Sequence, residues 1–391
     1  MFAIRASRIF DGVHLLPDRD LAIVVDGCKI VDIVPAAELS DIVVIHDHGR
    51  ATLLPGLVDA HIHLVFLGAA DPVGSISGDD EEMLVQMRRA ARASLAAGVT
   101  TVRDLGDVRY LATRVRTETA RDLRAGPAIL AAGPPITTPG GHCWFLGGEA
   151  SGKAQLRALV SAHAHSGVDV IKVMASGGRM TPGSEPWASQ FSAAELMVVR
   201  EEAHRAGLAT AAHAHGVDSI RNAVQAKFDT IEHATFATPA GIALRSELVD
   251  ELAAAGVFVS LALGTHADGP PLTAAERRRI DDVLALADRM RAAGVKLVCS
   301  SDAGVSAHKP HGLLPHSVAT LTRAGFTTAE AIRAATATAA AACRVEDRKG
   351  LLSRGHDADI LAVAGDPFRD IDNLSRIVAI YREGERVDET G

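Results

Sequence analysis

Five side chains able to hold divalent cations and one lysine recur along this sequence, each at or near the end of an apolar run: His61, His63, Lys172, His213, His233 and Asp302. His61-Ile62-His63 is a pair spaced by one residue. On a β-strand side chains alternate with period two, so both imidazoles fall on one face. Both can then reach one ion at about 2.0–2.1 Å. His213 and His233 lie 20 positions apart, the spacing of one strand–helix–strand unit, which puts them on adjacent parallel strands. His215 falls on the same side as His213 if that strand continues, and is a rival ligand. His213 is preferred because it lies nearer the strand end. Asp302 follows Val298-Cys299-Ser300-Ser301 and precedes Ala303-Gly304. A carboxylate there can cap a helix. Beside four histidines it can ligate a cation and take a proton from an attacking water.

Lys172 is the odd member, because an ammonium has no lone pair to offer a cation. Lysine inside a buried parallel strand is also rare. Either it pairs with a carboxylate or it is chemically changed. A deprotonated lysine amine can add carbon dioxide to give a carbamate, which is anionic and carries two oxygens. Burial and nearby cations both favour the neutral amine that this reaction needs.

These residues need a scaffold that presents strand ends to one place. Eight short apolar strands are read in the middle of the chain: GLVDAHIH, GVTTVRDL, PAILAAG, VDVIKVM, LATAAH, FDTIEH, GVFVSL and VKLVCSSD. Helical stretches separate them, for example EEMLVQMRRAARASLAAG and SAAELMVVREEAHRAG, each closed by glycine. Eight such units predict an α/β fold, a (β/α)8 TIM barrel, whose chemistry sits at the C-terminal ends of its strands. His61-Ile62-His63, Lys172, His213, His233 and Asp302 all fall at or near those ends. The flanks read differently. FAIRASRIFDG and DLAIVVDGCKIVDIVP, with Asp26-Gly27 as a hairpin turn, match DADILAVAGDP and SRIVAIYREGERV in style. One small β module, a β-sandwich, is expected from 1–54 with 351–391, and a barrel from 55–350.

Together these segments resemble the amidohydrolase superfamily, and within it the imidazolonepropionase-like and metal-dependent carboxypeptidase (prolidase-like) group. The resemblance runs through LLPGLVDAHIHL, AGVTTVRDLG, GVDVIKVMASGG, AAHAHG, DTIEHA, SSDAG and the closing AIRAATATAAAACRV. It implies two divalent metal ions, usually zinc. His61, His63 and Asp302 would hold one, His213 and His233 the other, and carboxylated Lys172 would bridge them with a hydroxide. It also implies a homo-oligomer. Prolidase-like relatives often carry tyrosine two residues after the fifth-strand histidine, where it helps hold a substrate carboxylate; this chain has His215. The GGHCWFLGG segment resembles a family loop after strand three, and His142 matches its histidine.

The expected activity is hydrolysis of an amide-type C–N bond in a small molecule, such as an N-acyl amino acid or a dipeptide. A metal-bridging hydroxide attacks, Asp302 moves the proton and His142 steadies the oxyanion. His142 and His215 are the expected substrate contacts. A mononuclear cyclic-amide hydrolase, imidazolone-type ring opener or deaminase on the same fold is the alternative. Such relatives generally lack the strand-four lysine. A non-catalytic, metal-free barrel is the other, and the intact donor set argues against it. Metal content per chain separates all three.

Composition narrows the rest. A net charge of −8 argues against a nucleic-acid partner. Arg277-Arg278-Arg279 reads as a solvated helix face. No apolar run suits a bilayer span and the N-terminus has no signal-peptide pattern, so no membrane partner is expected. Cys28, Cys143, Cys299 and Cys343 lie far apart without a C-x-x-C pair, which fits a reducing, cytoplasmic location.

Overall fold

The computed structural model describes residues 1–17, 20–40, 43–76, 78–266 and 269–388. All eight strands read from the sequence are present, as β1 (Leu57–Ile62), β2 (Val99–Asp104), β3 (Ala128–Ala131), β4 (Val170–Met174), β5 (Ala209–Gly216), β6 (Thr230–Thr238), β7 (Phe258–Ala262) and β8 (Lys296–Ser300). A helix follows each: α1 (Asp80–Ala96), α2 (Leu111–Arg121), α3 (Gly152–His165), α4 (Ala193–Arg205), α5 (Val217–Gln225), α6 (Ser246–Ala255), α7 (Ala274–Ala292) and α8 (Leu314–Thr322).

Local chemistry sets the helix ends. At the start of α1 the Asp79 carboxylate accepts from Glu81 N, and three acidic residues occupy the first turn against the positive end of the helix dipole. Met83, Leu84, Met87, Ala90 and Ala91 form its buried face, and Gly98 at φ +80° ends the turn. Helix α4 opens with a reciprocal Ser192–Glu195 capping box and runs out at Gly207, φ +75°.

The strands form two parallel sheets. One has the order β1-β2-β3; the other runs β4-β5-β6-β7-β8, with the short strand Gly241–Ile242 added to β6. Isolated parallel bridges lie at both seams between them, Ile136 with Val173 and Ile62 with Ala303. Backbone hydrogen bonds follow at each: Met174 N to Ile136 O at 2.8 Å, and His63 N to Ala303 O at 3.0 Å. Ile171, Val173, Ala212 and Ile231 of the second sheet are fully buried and join the helix residues Leu156, Leu196 and Ile220 in the main apolar cluster.

Two of the expected strands end later than the sequence suggested. β5 runs beyond His213 to Gly216, and β6 runs beyond His233 to Thr238. Their ladder continues through a register shift between Ala214 and Gly216. The hairpin to Gly241–Ile242 then extends β6.

The flanking segments form two further sheets. The first orders Lys29–Pro35, Leu21–Asp26, Phe2–Arg5 and Val44–Asp47; the second orders Glu385–Arg386, Ile377–Arg382, Ile360–Val363, Thr52–Pro55 and Arg8–Ile9. Thr52–Pro55 pairs antiparallel with Ile360–Val363, so the two ends of the chain share one sheet. Ile4, Ile23 and Ile30 from the first sheet and Leu53, Ile360 and Tyr381 from the second join one apolar cluster. Among the described residues no helix is long and apolar enough to cross a membrane.

Candidate metal centre

His61, His63 and Asp302 meet where β1 ends and the chain leaves β8. His61 Nε2 and His63 Nε2 are 3.3 Å apart, and Asp302 Oδ1 lies 3.5 Å from the first and 3.6 Å from the second. His63 Nδ1 is 3.0 Å from the Gly106 carbonyl oxygen, which can only accept, so the ring proton sits on Nδ1. His61 Nδ1 faces the Glu232 carboxylate at 3.0 Å, out of line for a straight hydrogen bond but on the side where a proton is favoured. Both Nε2 atoms therefore turn lone pairs toward the same point, beside a carboxylate oxygen. Without a cation that arrangement is repulsive. A tetrahedral ion at about 2.0–2.1 Å needs donors roughly 3.3–3.4 Å apart, so this donor set fits one.

The second group is His213, His215 and His233, whose candidate ligand atoms all lie within 4.8 Å of one another. Because β5 continues, His213 and His215 share a face, with ring centroids 4.6 Å apart. His215 stacks on His233 at 4.5 Å and 15°. Thr235 Oγ1 lies 2.9 Å from His215 Nδ1, and the Gly177 carbonyl oxygen accepts from His213 Nε2 at 3.1 Å. The His61 and His233 rings approach to 5.1 Å, which joins the two groups.

Lys172 is 1% exposed and its Nζ has no hydrogen-bond partner among the described residues. Burial pushes its amine down to about 8, although the Glu232 and Asp302 charges oppose the shift. His142 is buried, with its ring 4.8 Å from that of His213. Its backbone N donates to Gln190 Oε1 at 2.7 Å, and its Nδ1 has no hydrogen-bond partner among the described residues. The backbone of Gly178 lies against this ring: a Cβ there would stand 2.2 Å from His142 Nε2.

Burial dominates the electrostatics. It holds His63 and His215 at about 3 and His142 at about 4, and drives His61, His213 and His233 well below the ordinary imidazole value. Neutral imidazole is the form a metal ligand needs. Burial raises Asp302 to about 6 against the pull of Lys309 and Lys172. Two of the site residues sit on strained backbone, His233 at φ +72° and Asp302 at φ +56°, a conformation uncommon outside glycine and concentrated at functional sites. Asp302 is pinned there: its N donates to His61 O at 2.8 Å, and Ser301 Oγ donates to the buried Asp59 at 2.5 Å.

The sequence reading missed the residues behind the ligands. Glu232 and Arg103 are fully or almost fully buried on β6 and β2. The signal was available, since each is a charge inside an apolar strand, the same anomaly that marked Lys172. The arginine triplet is exposed as expected. Yet the Arg279 charge is felt at His215 and Asp302, and the Arg179 charge at His215. Neither arginine side chain makes an ion pair or hydrogen bond among the described residues.

Comparison with known proteins gives consistent findings. The profile described as Amidohydrolase family matches residues 52–387. Ochratoxinase of Aspergillus niger is 28% identical over 358 residues, covering 83% of this chain and 72% of that one. An uncharacterized protein of Mycobacterium tuberculosis is 31% identical over 323 residues, covering 81% of this chain and 80% of its own. A solved structure of a Xaa-Pro dipeptidase with bound methionine in the active site superposes with a TM-score of 0.85 at 26% identity. It spans 98% of this chain and 99% of that one.

Proposed function

The chain belongs to the Amidohydrolase family and is a hydrolase acting on carbon–nitrogen bonds; from that premise we propose a binuclear metal-dependent enzyme that cleaves the amide-type bond of a small N-acyl amino acid, dipeptide or related amide. One observation carries this reading: the convergence of His61 Nε2, His63 Nε2 and Asp302 Oδ1 at 3.3–3.6 Å, beside the partnerless amine of Lys172. In this reading the two sheets are arcs of one (β/α)8 barrel over 55–350, a view their bridged seams support. The segments 1–54 and 351–391 form a β-sandwich domain.

His61, His63 and Asp302 would hold one divalent ion, and His213 and His233 would hold the second. Lys172, once carboxylated, would serve both. Its neutral amine adds to the carbon of carbon dioxide, an N–C bond forms, one Nζ proton leaves to solvent, and an anionic carbamate results. Two ions there, zinc in this reading, would lower the pKa of a water and polarise the scissile carbonyl.

The chain's own residues do the rest. Asp302 takes the water proton at Oδ2 and returns it to the leaving nitrogen. His142, kept neutral by burial, donates a hydrogen bond to the carbonyl oxygen as charge develops on it. His215, braced by Thr235, lies on the pocket wall and contacts the substrate. The unpaired charges of Arg179 and Arg279 favour a substrate bearing a carboxylate. The Xaa-Pro dipeptidase likeness supports an amide next to an amino acid. The four free cysteines support a cytoplasmic location.

The test is a hydrolysis screen of N-acyl amino acids, dipeptides and lactams with zinc-loaded protein. Release of an amino acid from one of the first two classes, abolished by chelator and restored by zinc, is expected. Turnover confined to lactams, or turnover indifferent to chelation, contradicts the reading.

A further inference from the structure

A buried chain of charge runs behind His61. Arg103, 1% exposed, projects from β2 in the three-stranded sheet, and Glu232, 0% exposed, from β6 in the other sheet. Arg103 Nη2 donates to Glu232 Oε1 at 3.0 Å and the Arg103–Glu232 pair thus crosses the interior between the sheets. The guanidinium is fixed by donation from Nε to Ala60 O at 2.8 Å and from Nη1 to Ala342 O at 3.3 Å. Thr230 Oγ1 donates to the same carboxylate oxygen at 2.7 Å. The other oxygen, Oε2, is left facing His61 Nδ1 at 3.0 Å.

A buried ion pair by itself contributes little to stability, because desolvation offsets the attraction. A carboxylate set behind a ligand histidine does something more specific. It keeps the proton on the rear nitrogen and the lone pair on the front one. We propose that Glu232, held in place by Arg103, is a positioning residue that fixes the His61 tautomer so that Nε2 faces His63 and Asp302 as a ligand. The brace bears on one half of the centre only. His63 has its own acceptor in the Gly106 carbonyl, and His213 is fixed by the Gly177 carbonyl. Removing the Glu232 charge therefore weakens the His61 site and leaves the histidine pair of β5 and β6 intact.

This inference rests on the metal reading above, and the experiment separates the two. Zinc affinity is measured by chelator competition for the wild type, Glu232→Gln, His61→Ala and the double variant. A glutamine amide at 232 can turn an N–H toward His61 Nδ1 and so force the proton to Nε2. One of the two zinc equivalents is expected to weaken about 10- to 100-fold in Glu232→Gln, and the other to stay within about twofold. On the His61→Ala background Glu232→Gln is expected to add nothing, because Glu232 acts through that ring. Glu232→Gln leaves Arg103 as a buried unpaired charge, so Arg103→Met with Glu232→Gln is measured as well. It removes the ion pair whole and is expected to show the same selective loss with a folded circular-dichroism spectrum. Wild-type affinity at both equivalents in either variant overturns the brace. So does an equal further loss on the His61→Ala background. A wild-type chain that takes up no zinc overturns the metal reading and the brace together.

Discussion

The Nε2 atoms of His61 and His63 stand 3.3 Å apart while both Nδ1 atoms face acceptors, the Glu232 carboxylate and the Gly106 carbonyl. Two lone pairs aimed at one point, closed by Asp302 Oδ1, are the geometry of a site shaped around a cation.

Asp302 carries both a ligand role and the proton transfer. Asp302→Asn keeps a ligating oxygen but cannot accept a proton, so turnover falls by about 10²- to 10⁴-fold. Circular dichroism and thermal midpoint should stay near wild type. Turnover within about threefold of wild type removes Asp302 as the base.

Lys172 tests the carbamate. Lys172→Ala should lose metal and activity together, and short carboxylic acids added in excess should restore part of both by supplying the missing oxygens. Wild-type protein grown with labelled carbon dioxide should show a carbamate resonance. Two bound metals in Lys172→Ala without any added acid contradict this role.

Gly178 is a probe of His142 that leaves every ligand in place. A Cβ at 178 falls 2.2 Å from His142 Nε2 and 2.5 Å from its Cε1, so Gly178→Ala must displace the ring. A displacement of about 1 Å at a catalytic group costs up to about 10²-fold. We expect kcat/KM to fall by tenfold or more with metal content unchanged. Unchanged kinetics would show His142 to be a bystander.

How much of this was legible in the sequence divides along physical lines. The strands were, because buried parallel strands are continuous apolar runs and their ends carried His61, His63, His213, His233 and Asp302. Strand length was not. The run of β5 to Gly216 depends on pairing with β6 across a register shift, which no local pattern encodes. Thus His215, read both as a rival ligand and as a pocket-wall residue, stands within reach of the same point as His213 and His233. The brace from Arg103 through Glu232 to His61 was also out of reach. Two charges buried in strands 129 positions apart can be flagged as anomalies, but only the fold shows that they meet. The field of Arg279 at Asp302 was hidden for a related reason, since an exposed helix face can still overlook a site.

Acid stability tests a different part of the molecule. The Asp357 carboxylate is 1% exposed and contacts Lys29 at 2.7 Å, Arg348 at 2.8 Å and Lys349 at 2.8 Å. Burial would raise this carboxyl, but hydrogen bonds from Lys29 and Lys349 and the nearby positive charges outweigh it and hold the group at about 2. The unfolded value is about 3.9. A depressed folded pKa means stability that is full above about pH 4 and is lost as pH falls toward 2. With one unit worth about 1.4 kcal/mol, the shift is worth at most about 2.6 kcal/mol, and solvent screening of the partly exposed Lys29 and Arg348 reduces the contribution to about 2 kcal/mol. Asp357→Asn should lose about that much at neutral pH and show a flatter decline between pH 4 and pH 2. A parallel decline in wild type and variant contradicts the assignment.

In the function proposed above, this chain holds two divalent ions at one centre. The most direct measurement is elemental analysis of the purified protein, reconstituted with zinc and bicarbonate and freed of loose metal, alongside its turnover. Close to two zinc ions per chain are expected, falling to about one in His61→Ala/His63→Ala. An active wild-type sample with one ion or none contradicts that function.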